Sequence, residues 1–365
     1  MSTIYDVAKA ANVSPKTVSR VLNGDAPVGK KTREAVEKAI NDLGYVPSSA
    51  ARTMRSHRSG LIGLVTGAIS LSPQNPVMSG LPDIFIVQGV QQGLNGSGKT
   101  LLISDTGGRS DRIPSLMRTF VEHRVEGIIY VADYHRKVAL PPLVGTPRVV
   151  LANCYDEAGT PAVVPDDHGG QYRLVREIIA KGHRRIAYLT LADHLDATPL
   201  RTAGYRAALE EAGIAYDPAL VVPADTADDD TEAQAVCLWD ALDAVLSLAD
   251  APTAICCGND RMAMRAYGML RSRGVELPDD IAVAGYDDYR AISDSLFPRL
   301  TTVELPYLEM GKRAAERLLS VVADTEPYSP TPEIVGGEVI WRESVPPFEP
   351  RAPGKTPSHQ REELQ

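Results

Sequence analysis

Apolar residues recur at helical spacing through residues 1–45, and from residue 60 onward they gather into short runs separated by amphipathic stretches. Ile4, Val7, Ala8 and Ala11 fall on one helical face, with Thr3 and Asp6 forming a capping-box pattern at its start. Asn12-Val13-Ser14 breaks the period. Ser14 is a good N-cap and Pro15 follows at the first helical position, where proline's missing N–H costs nothing, so a second helix begins there. Val18, Val21 and Leu22 are its inner stripe, and Asn23-Gly24 ends it. A third helix runs from about Lys31 to Gly44, with Ala35, Val36, Ala39, Ile40 and Leu43 inward. Tyr45-Val46-Pro47 is extended, as residues before a proline are. The basic, alanine-containing stretch 48–58 leaves its helicity open.

Beyond Gly60 the strand-like runs are Leu61–Val65, Leu101–Ser104, Gly127–Val131, Val149–Leu151, Ile186–Leu191, Ala254–Cys257 and Ile281–Ala284. Helical patterns alternate with them at 111–123, 169–181, 201–213, 232–248, 260–273 and 307–323. Such alternation predicts parallel, helix-covered sheets, and its extent suits two α/β lobes rather than one. Pro346 to Gln365 is rich in Pro, Arg, Glu and Gln and reads as a disordered tail.

Charge sharpens this division. Residues 1–60 hold ten Lys or Arg against five acids, so the rest of the chain must carry −14 to give the overall −9. A basic head on an acidic body points to a polyanion that the head alone meets. The four cysteines form no CxxC pair and suit a reducing, cytoplasmic setting. The first residues lack a basic stretch followed by an apolar one, so no signal peptide is expected. No apolar run approaches the roughly 18–20 residues of a membrane span.

A short helix, a tight turn and a second helix, backed by a third, make a helix-turn-helix. With Val18, Val21 and Leu22 inward, Pro15, Lys16, Thr17 and Arg20 lie on the outer face near the helix start, where a recognition helix meets base edges. Arg20 can fork onto guanine O6 and N7, and Lys16 can reach a base or a phosphate. A plain three-helix bundle with solvated basic residues is the competing reading.

The run from Thr3-Ile4-Tyr5-Asp6-Val7-Ala8 through Val13-Ser14-Pro15-Lys16-Thr17-Val18-Ser19-Arg20-Val21-Leu22-Asn23 closely resembles the head of the lactose-repressor (LacI/GalR) family of bacterial transcription regulators. The likeness continues through Leu43-Gly44-Tyr45-Val46-Pro47 and Ala51-Arg52-Thr53-Met54-Arg55, and on to about residue 345. It implies a small all-α helix-turn-helix head (1–46), a hinge helix and linker (47–59) and a two-lobed α/β periplasmic-binding-protein-like effector domain (60–345) before the tail (346–365). DNA contacts would come from Tyr5, Ser14, Pro15, Lys16, Thr17, Arg20 and Asn23 of the head. Ala51, Met54 and Arg55 of the hinge would add more, Met54 standing where the family usually has a minor-groove leucine wedge.

In the body, Lys181-Gly182-His183-Arg184-Arg185-Ile186, Arg201-Thr202-Ala203-Gly204-Tyr205, Cys257-Gly258-Asn259-Asp260-Arg261-Met262 and Gly285-Tyr286-Asp287 resemble the stations of the family's core. The resemblance implies a small effector, often a sugar in that family, held between the lobes. Arg201 offers a planar donor fork, Asp287 accepts from hydroxyls and Asn259 does either, a set suited to vicinal hydroxyls. Asp166 and Asp167 occupy the place of the family's Asp-Asn pair, and Asp166 is taken into the effector set. The segment from Thr66 to Asp83 is unusually long, with its end, Asp83, expected to border the cleft. Thr226 to Glu232 lacks the aromatic that family members often lay over a sugar or base.

Gly93-Leu94-Asn95-Gly96-Ser97-Gly98-Lys99-Thr100 satisfies the phosphate-loop pattern, but a phosphate cradle needs a strand before it and a helix after it. Here a helix-like stretch around Gln88, Gln91 and Gln92 precedes and the strand-like Leu101–Ser104 follows. The histidines show no metal-ligand spacing, and no GxSxG occurs. The expectation is therefore a non-enzymatic regulator with no cofactor and no metal. It would be a homodimer on pseudo-palindromic double-stranded operator DNA, cytoplasmic and nucleoid-associated, with a carbohydrate effector and no membrane. A sugar-binding transport component is the rival from another class.

Overall fold

The computed structural model describes residues 2–24, 28–46, 58–67, 69, 83–141, 148–227, 230–325 and 329–349, with the backbone alone at Asn23 and Asp83. The expected hinge residues Ala51, Met54 and Arg55 lie outside the described residues, as do 351–365. Contacts divide the chain at Gly60 into two compact units.

The first unit holds α1 (Ile4–Ala10), α2 (Pro15–Asn23) and α3 (Lys30–Asp42). Thr3 caps α1 through a complete capping box: its hydroxyl accepts from the Asp6 N–H at 3.3 Å, and the Asp6 carboxylate accepts from the Thr3 N–H at 2.8 Å. The same N–H holds the Asp6 carboxyl below its usual range. Ser14 caps α2, accepting from the Thr17 N–H at 3.1 Å, and Gly24 ends it at a φ of +72°. Val7, Ala8, Val18, Val21, Val36 and Ala39 form the buried centre that the helical spacing requires.

The second unit opens with a lobe of β1 (Leu61–Thr66), α4 (Asp83–Gly93), β2 (Thr100–Asp105), α5 (Ile113–Glu122), β3 (Gly127–Lys137), β4 (Arg148–Tyr155) and β5 (Ala162–Pro165). The chain then crosses into a second lobe: α6 (Asp167–Ala180), β6 (Ile186–Thr190), α7 (Ala197–Glu211), β7 (Val221–Pro223), α8 (Thr231–Leu246), β8 (Ala254–Cys257), α9 (Asp260–Ser272), β9 (Ala282–Ala284) and the one-turn α10 (Arg290–Ser293). It returns through β10 (Thr302–Val303) to α11 (Tyr307–Val322) and β11 (Glu333–Val335), and crosses once more along β12 (Val339–Ile340).

The first sheet has the order β11-β5-β4-β3-β1-β2 and the second β7-β6-β8-β9, and every pairing in both is parallel. Antiparallel β10 and β12 tie two of the crossovers together. Helices on both faces explain why the central strands are continuous apolar runs, with β6 and β8 buried along their whole length. In the first lobe α4 and α11 pack backbone to backbone. A Cβ on Gly89 would lie 2.0 Å from the Leu308 carbonyl oxygen, and one on Gly311 would lie 2.1 Å from that of Ile86. No helix among the described residues is long and apolar enough to cross a membrane.

One sequence expectation holds here and one changes. The phosphate-loop look-alike is the turn from α4 into β2, so helix precedes strand, and Lys99 is spent on an ion pair with Glu126 at 2.5 Å. The segment read as a tail starts later than Pro346. The Pro346 carbonyl lies 3.1 Å from His183 Nε2, the Phe348 N–H donates to the Lys181 carbonyl, and the Phe348 ring rests against the His183 ring. Phe348 supplies the apolar cover that composition averaged over the whole stretch concealed.

Candidate DNA-binding head and effector cleft

On α2 the inward Val18 and Val21 turn Lys16 and Arg20 to solvent, one helical turn apart on the same face. Ser14 is exposed beside them, while Pro15 and Thr17 are half-buried at the helix start. The Ser14 and Thr17 hydroxyls also bond each other at 2.9 Å, so both serve the cap whatever else they meet. Tyr5 projects from α1 with 71% of its surface exposed. An exposed Tyr, Lys and Arg around an uncapped-by-acid helix start form a surface suited to a phosphate backbone with base edges beyond it. The structure brings Tyr5, Ser14, Pro15, Lys16, Thr17 and Arg20 into one unit, and Asn23 closes α2 without a described side chain.

Between the lobes of the body lies a cavity of about 120 Å³. Tyr134, His135, Asn153 and Tyr307 line it from the first lobe. Arg201 of α7, Asn259 and Asp287 line it from the second, so the three residues named as a clamp do converge. Arg201, 4% exposed, donates through Nε to Asp167 at 2.7 Å and through a terminal nitrogen to the Gly258 carbonyl at 2.7 Å. Its guanidinium stacks 3.6 Å above the Tyr286 ring. The other Asp167 oxygen lies 2.7 Å from His135 Nδ1, so one carboxylate joins the two lobes. Burial alone would raise the Asp167 carboxyl; the Arg201 charge, helped by His135, overrides it and holds it low. The same exchange raises Arg201 against the downward pull of its burial.

Asp287 has an acidic neighbour. It sits at a φ of +115°, uncommon for a side-chain-bearing residue, beside the buried Asp260. The Tyr289 N–H reaches both carboxyls, at 3.1 Å to Asp287 and 2.8 Å to Asp260. Thr302 donates to Asp260 at 2.6 Å. Gly285 makes room for this pair, because a Cβ there would fall 2.1 Å from Asp260 Oδ1. Burial pushes Asp287 well up, and Asp260's charge pushes it further; burial also lifts Asp260 to about 6. A side-chain hydrogen bond joins the two carboxyls, the raised Asp287 keeping the proton, and Asp287 Oδ2 is buried with no N–H or hydroxyl donating to it. Asn259 caps α9 through its Oδ1, which accepts from the Met262 N–H at 2.7 Å, so its amide NH₂ is the group it brings to the cavity.

Asp166 corrects the sequence expectation. It caps α6 by accepting from the Gly169 N–H at 2.8 Å and pairs with Arg173 at 3.1 Å, away from the cavity lining. Asp167, one position on, is likewise off the lining but partners two residues that are on it, Arg201 and His135. Asp83 opens α4, and its side chain lies outside the described residues. Sequence reasoning passed over His135 and Asn153, which no motif marks, and Asp225, Arg261 and Arg265, all of which line the cavity. Arg261 stood inside the Cys257–Met262 motif and Arg265 one turn further along α9, so the four-residue spacing between the two arginines was the available signal.

Residues 3–48 match the model for bacterial regulatory proteins of the lacI family, and residues 175–345 match that for a periplasmic binding protein-like domain. The transcriptional repressor PurR of Vibrio atlanticus is 31% identical over 332 residues, which cover 89% of this chain and 93% of that protein. The chain belongs to the lacI family. Another relative of this family, the ribose operon repressor of Haemophilus influenzae, is 30% identical over 87% of this chain and 91% of its own length. The solved complex of the transcriptional regulator CelR with cellobiose matches at 29% identity and a TM-score of 0.63, covering 94% of this chain and 100% of that one. This lacI-family member is accordingly a DNA-binding transcription regulator rather than an enzyme.

Proposed function

We propose that this regulator is a repressor that binds a pseudo-palindromic operator as a homodimer and alters its grip when a carbohydrate enters the interlobe cavity. The observation that carries the carbohydrate reading is the convergence on one cavity of a donor fork, Arg201, an amide, Asn259, and a carboxyl, Asp287. A hydroxyl both donates and accepts, so it suits this carboxyl protonated or ionised. Relatives named for ribose, and a solved neighbour holding cellobiose, support the same class. The effector set is thus Arg201, Asn259, Asp287 and Asp167, with Asp167 acting through Arg201.

Dimerisation follows from reach. One short helix reads only a few base pairs, so two heads related by a two-fold axis are needed for a selective operator. The heads (1–46) would be joined through the 47–59 hinge to the effector body, with Ala51, Met54 and Arg55 meeting the minor groove. Such a protein works at the nucleoid in the cytoplasm.

The deciding experiment selects an operator from fragmented genomic DNA and then titrates neutral sugars into the protein–operator complex, following fluorescence anisotropy. A sugar that shifts operator affinity for the wild type and fails to do so for Asp287→Ala supports the reading. Sugars that bind elsewhere, leaving the response of Asp287→Ala unchanged, would overturn it.

A further inference from the structure

Asp287 stands on a turn whose backbone favours glycine yet holds none. Asp287 has a φ of +115° and Asp288 one of +46°, two left-handed positions in succession. Glycine would take either without steric cost, so contacts made by the side chains present must hold the turn. Asp287 lines the cavity beside Asp260, whereas Asp288 does not line it. The Asp288 carboxylate accepts from Ser293 Oγ at 2.9 Å and from a terminal nitrogen of Arg342 at 2.8 Å.

Arg342 follows β12, its side chain 6% exposed, and it too is off the cavity lining. All three of its guanidinium nitrogens are engaged. Beyond the bond to Asp288, Nε pairs with Asp294 at 3.0 Å and the other terminal nitrogen donates to the Leu300 carbonyl at 2.9 Å. Its backbone is fixed as well, since Thr301 Oγ1 accepts from the Arg342 N–H at 2.9 Å and donates to the Arg342 carbonyl at 3.0 Å. The turn meets the other crossover through its own main chain. The Asp287 N–H donates to the Val303 carbonyl at 2.6 Å, and the Asp287 carbonyl accepts from the Leu305 N–H at 3.3 Å. Two crossovers between the lobes therefore grip this turn, β10 by backbone and the segment after β12 by one buried arginine. A planar fork that fits three acceptors fixes a geometry that a point charge does not.

Resting on the reading of Asp287 as an effector residue, we infer that Arg342 is a positioning residue of the site: acting through Asp288, it holds the left-handed turn that keeps Asp287 on the cavity wall. An ion pair serving stability alone needs no left-handed backbone beside it. Backbone of this kind persists where the surrounding structure over-determines it, and here Arg342 is the group that does so from outside the cavity.

Isothermal titration of the full chain with D-ribose, D-glucose, D-galactose and cellobiose tests this, each variant first being shown folded by a thermal melt. A sugar that the wild type binds should bind Arg342→Gln roughly tenfold or more weakly. Adding Asp288→Gly to that variant should recover most of the loss, because glycine keeps left-handed backbone unaided. A purely structural arginine would lower the melting temperature and leave the sugar affinity alone. Should Arg342→Gln unfold, Asp288→Ala and Asp288→Gly take its place. Both lose the contact with Arg342 and only alanine resists the turn, so Asp288→Ala should bind sugar more weakly than Asp288→Gly. Sugar affinity unchanged in Arg342→Gln, or equal in the two variants of Asp288, would overturn the inference and leave the sugar reading standing. A crystal structure of Arg342→Gln, or of Asp288→Ala in its place, decides the geometry without sugar. The expected result is a shifted turn with Asp287 off the cavity wall; Asp287 unmoved at positive φ would overturn the inference. If the wild type binds no sugar of the panel, the sugar reading falls, and the crystal structure still decides the role of Arg342.

Discussion

Placing Arg201 and Asp167 in the interlobe region takes two charges out of water, and the pair survives there because each of the carboxylate's oxygens and two of the guanidinium nitrogens have partners. Removing one member leaves the other buried and unpaired. Arg201→Met should therefore cost roughly 3–5 kcal/mol of unfolding free energy in urea titration, a loss well beyond that of an exposed arginine such as Arg290. A change under about 1 kcal/mol would mean the pair is solvated. Acid has opposite effects on the two carboxyl systems. Asp167 is held low, so its stabilisation is present above the ordinary carboxyl range and is lost as pH falls through its folded value. Asp260 is raised from 3.8 to about 6, so the folded protein keeps a proton that the unfolded chain has released. Its stabilisation is full at low pH and disappears as pH rises through about 6. Asp260→Asn should flatten that decline between pH 4 and pH 6, measured by urea unfolding at several pH values; an unchanged slope would place the raised carboxyl elsewhere.

Helices α2, α4 and α11 show how single positions set the job of an element. On α2, the stripe of Val18 and Val21 decides that Arg20 faces outward. Arg20→Ala should flatten discrimination among single-base operator variants by roughly 1–3 kcal/mol, whereas Lys16→Ala should weaken all sequences alike if it meets phosphate. Binding assays on an operator and its point variants separate the two. On α4, Gly89 permits a backbone contact with α11 that no side chain tolerates. Gly89→Ala should destabilise the body by roughly 1–3 kcal/mol through overpacking, with the head's melting unaffected. The turn that follows α4 carries Lys99, whose ammonium meets a carboxylate of the chain instead of a nucleotide. Lys99→Ala should cost roughly 1–3 kcal/mol by stranding Glu126, and calorimetry with ATP and magnesium should show no binding before or after the change.

For the whole molecule, regulation requires that the effector bind two lobe arrangements unequally, since a ligand shifts an equilibrium only by its differential affinity. The His135–Asp167–Arg201 chain spans both lobes, so it is sensitive to their spacing. Dimeric reading gives a measurable consequence. An operator cut to one half-site should bind at least roughly 100-fold more weakly than the intact pseudo-palindrome, because the second head then contributes no effective concentration. Equal affinity for both would mean that a single head suffices.

The sequence by itself determined the three-helix head, the alternating α/β body and the order of helix and strand around the false phosphate loop. Each of these rests on local periodicity and capping, which neighbouring residues carry whatever the tertiary context. It also brought Arg201, Asn259 and Asp287 to one place through motif likeness. Tertiary structure alone decided who partners whom. Asp167 rather than Asp166 partners Arg201 and His135 because the helix cap consumes one carboxylate and the interlobe crossing turns the other inward. His135 and Arg201 are 66 positions apart in numbering yet meet the same carboxylate, a proximity created by the crossover between lobes and invisible to any local pattern. The raised carboxyls of Asp260 and Asp287 are likewise products of burial, which depends on what the rest of the chain packs over them.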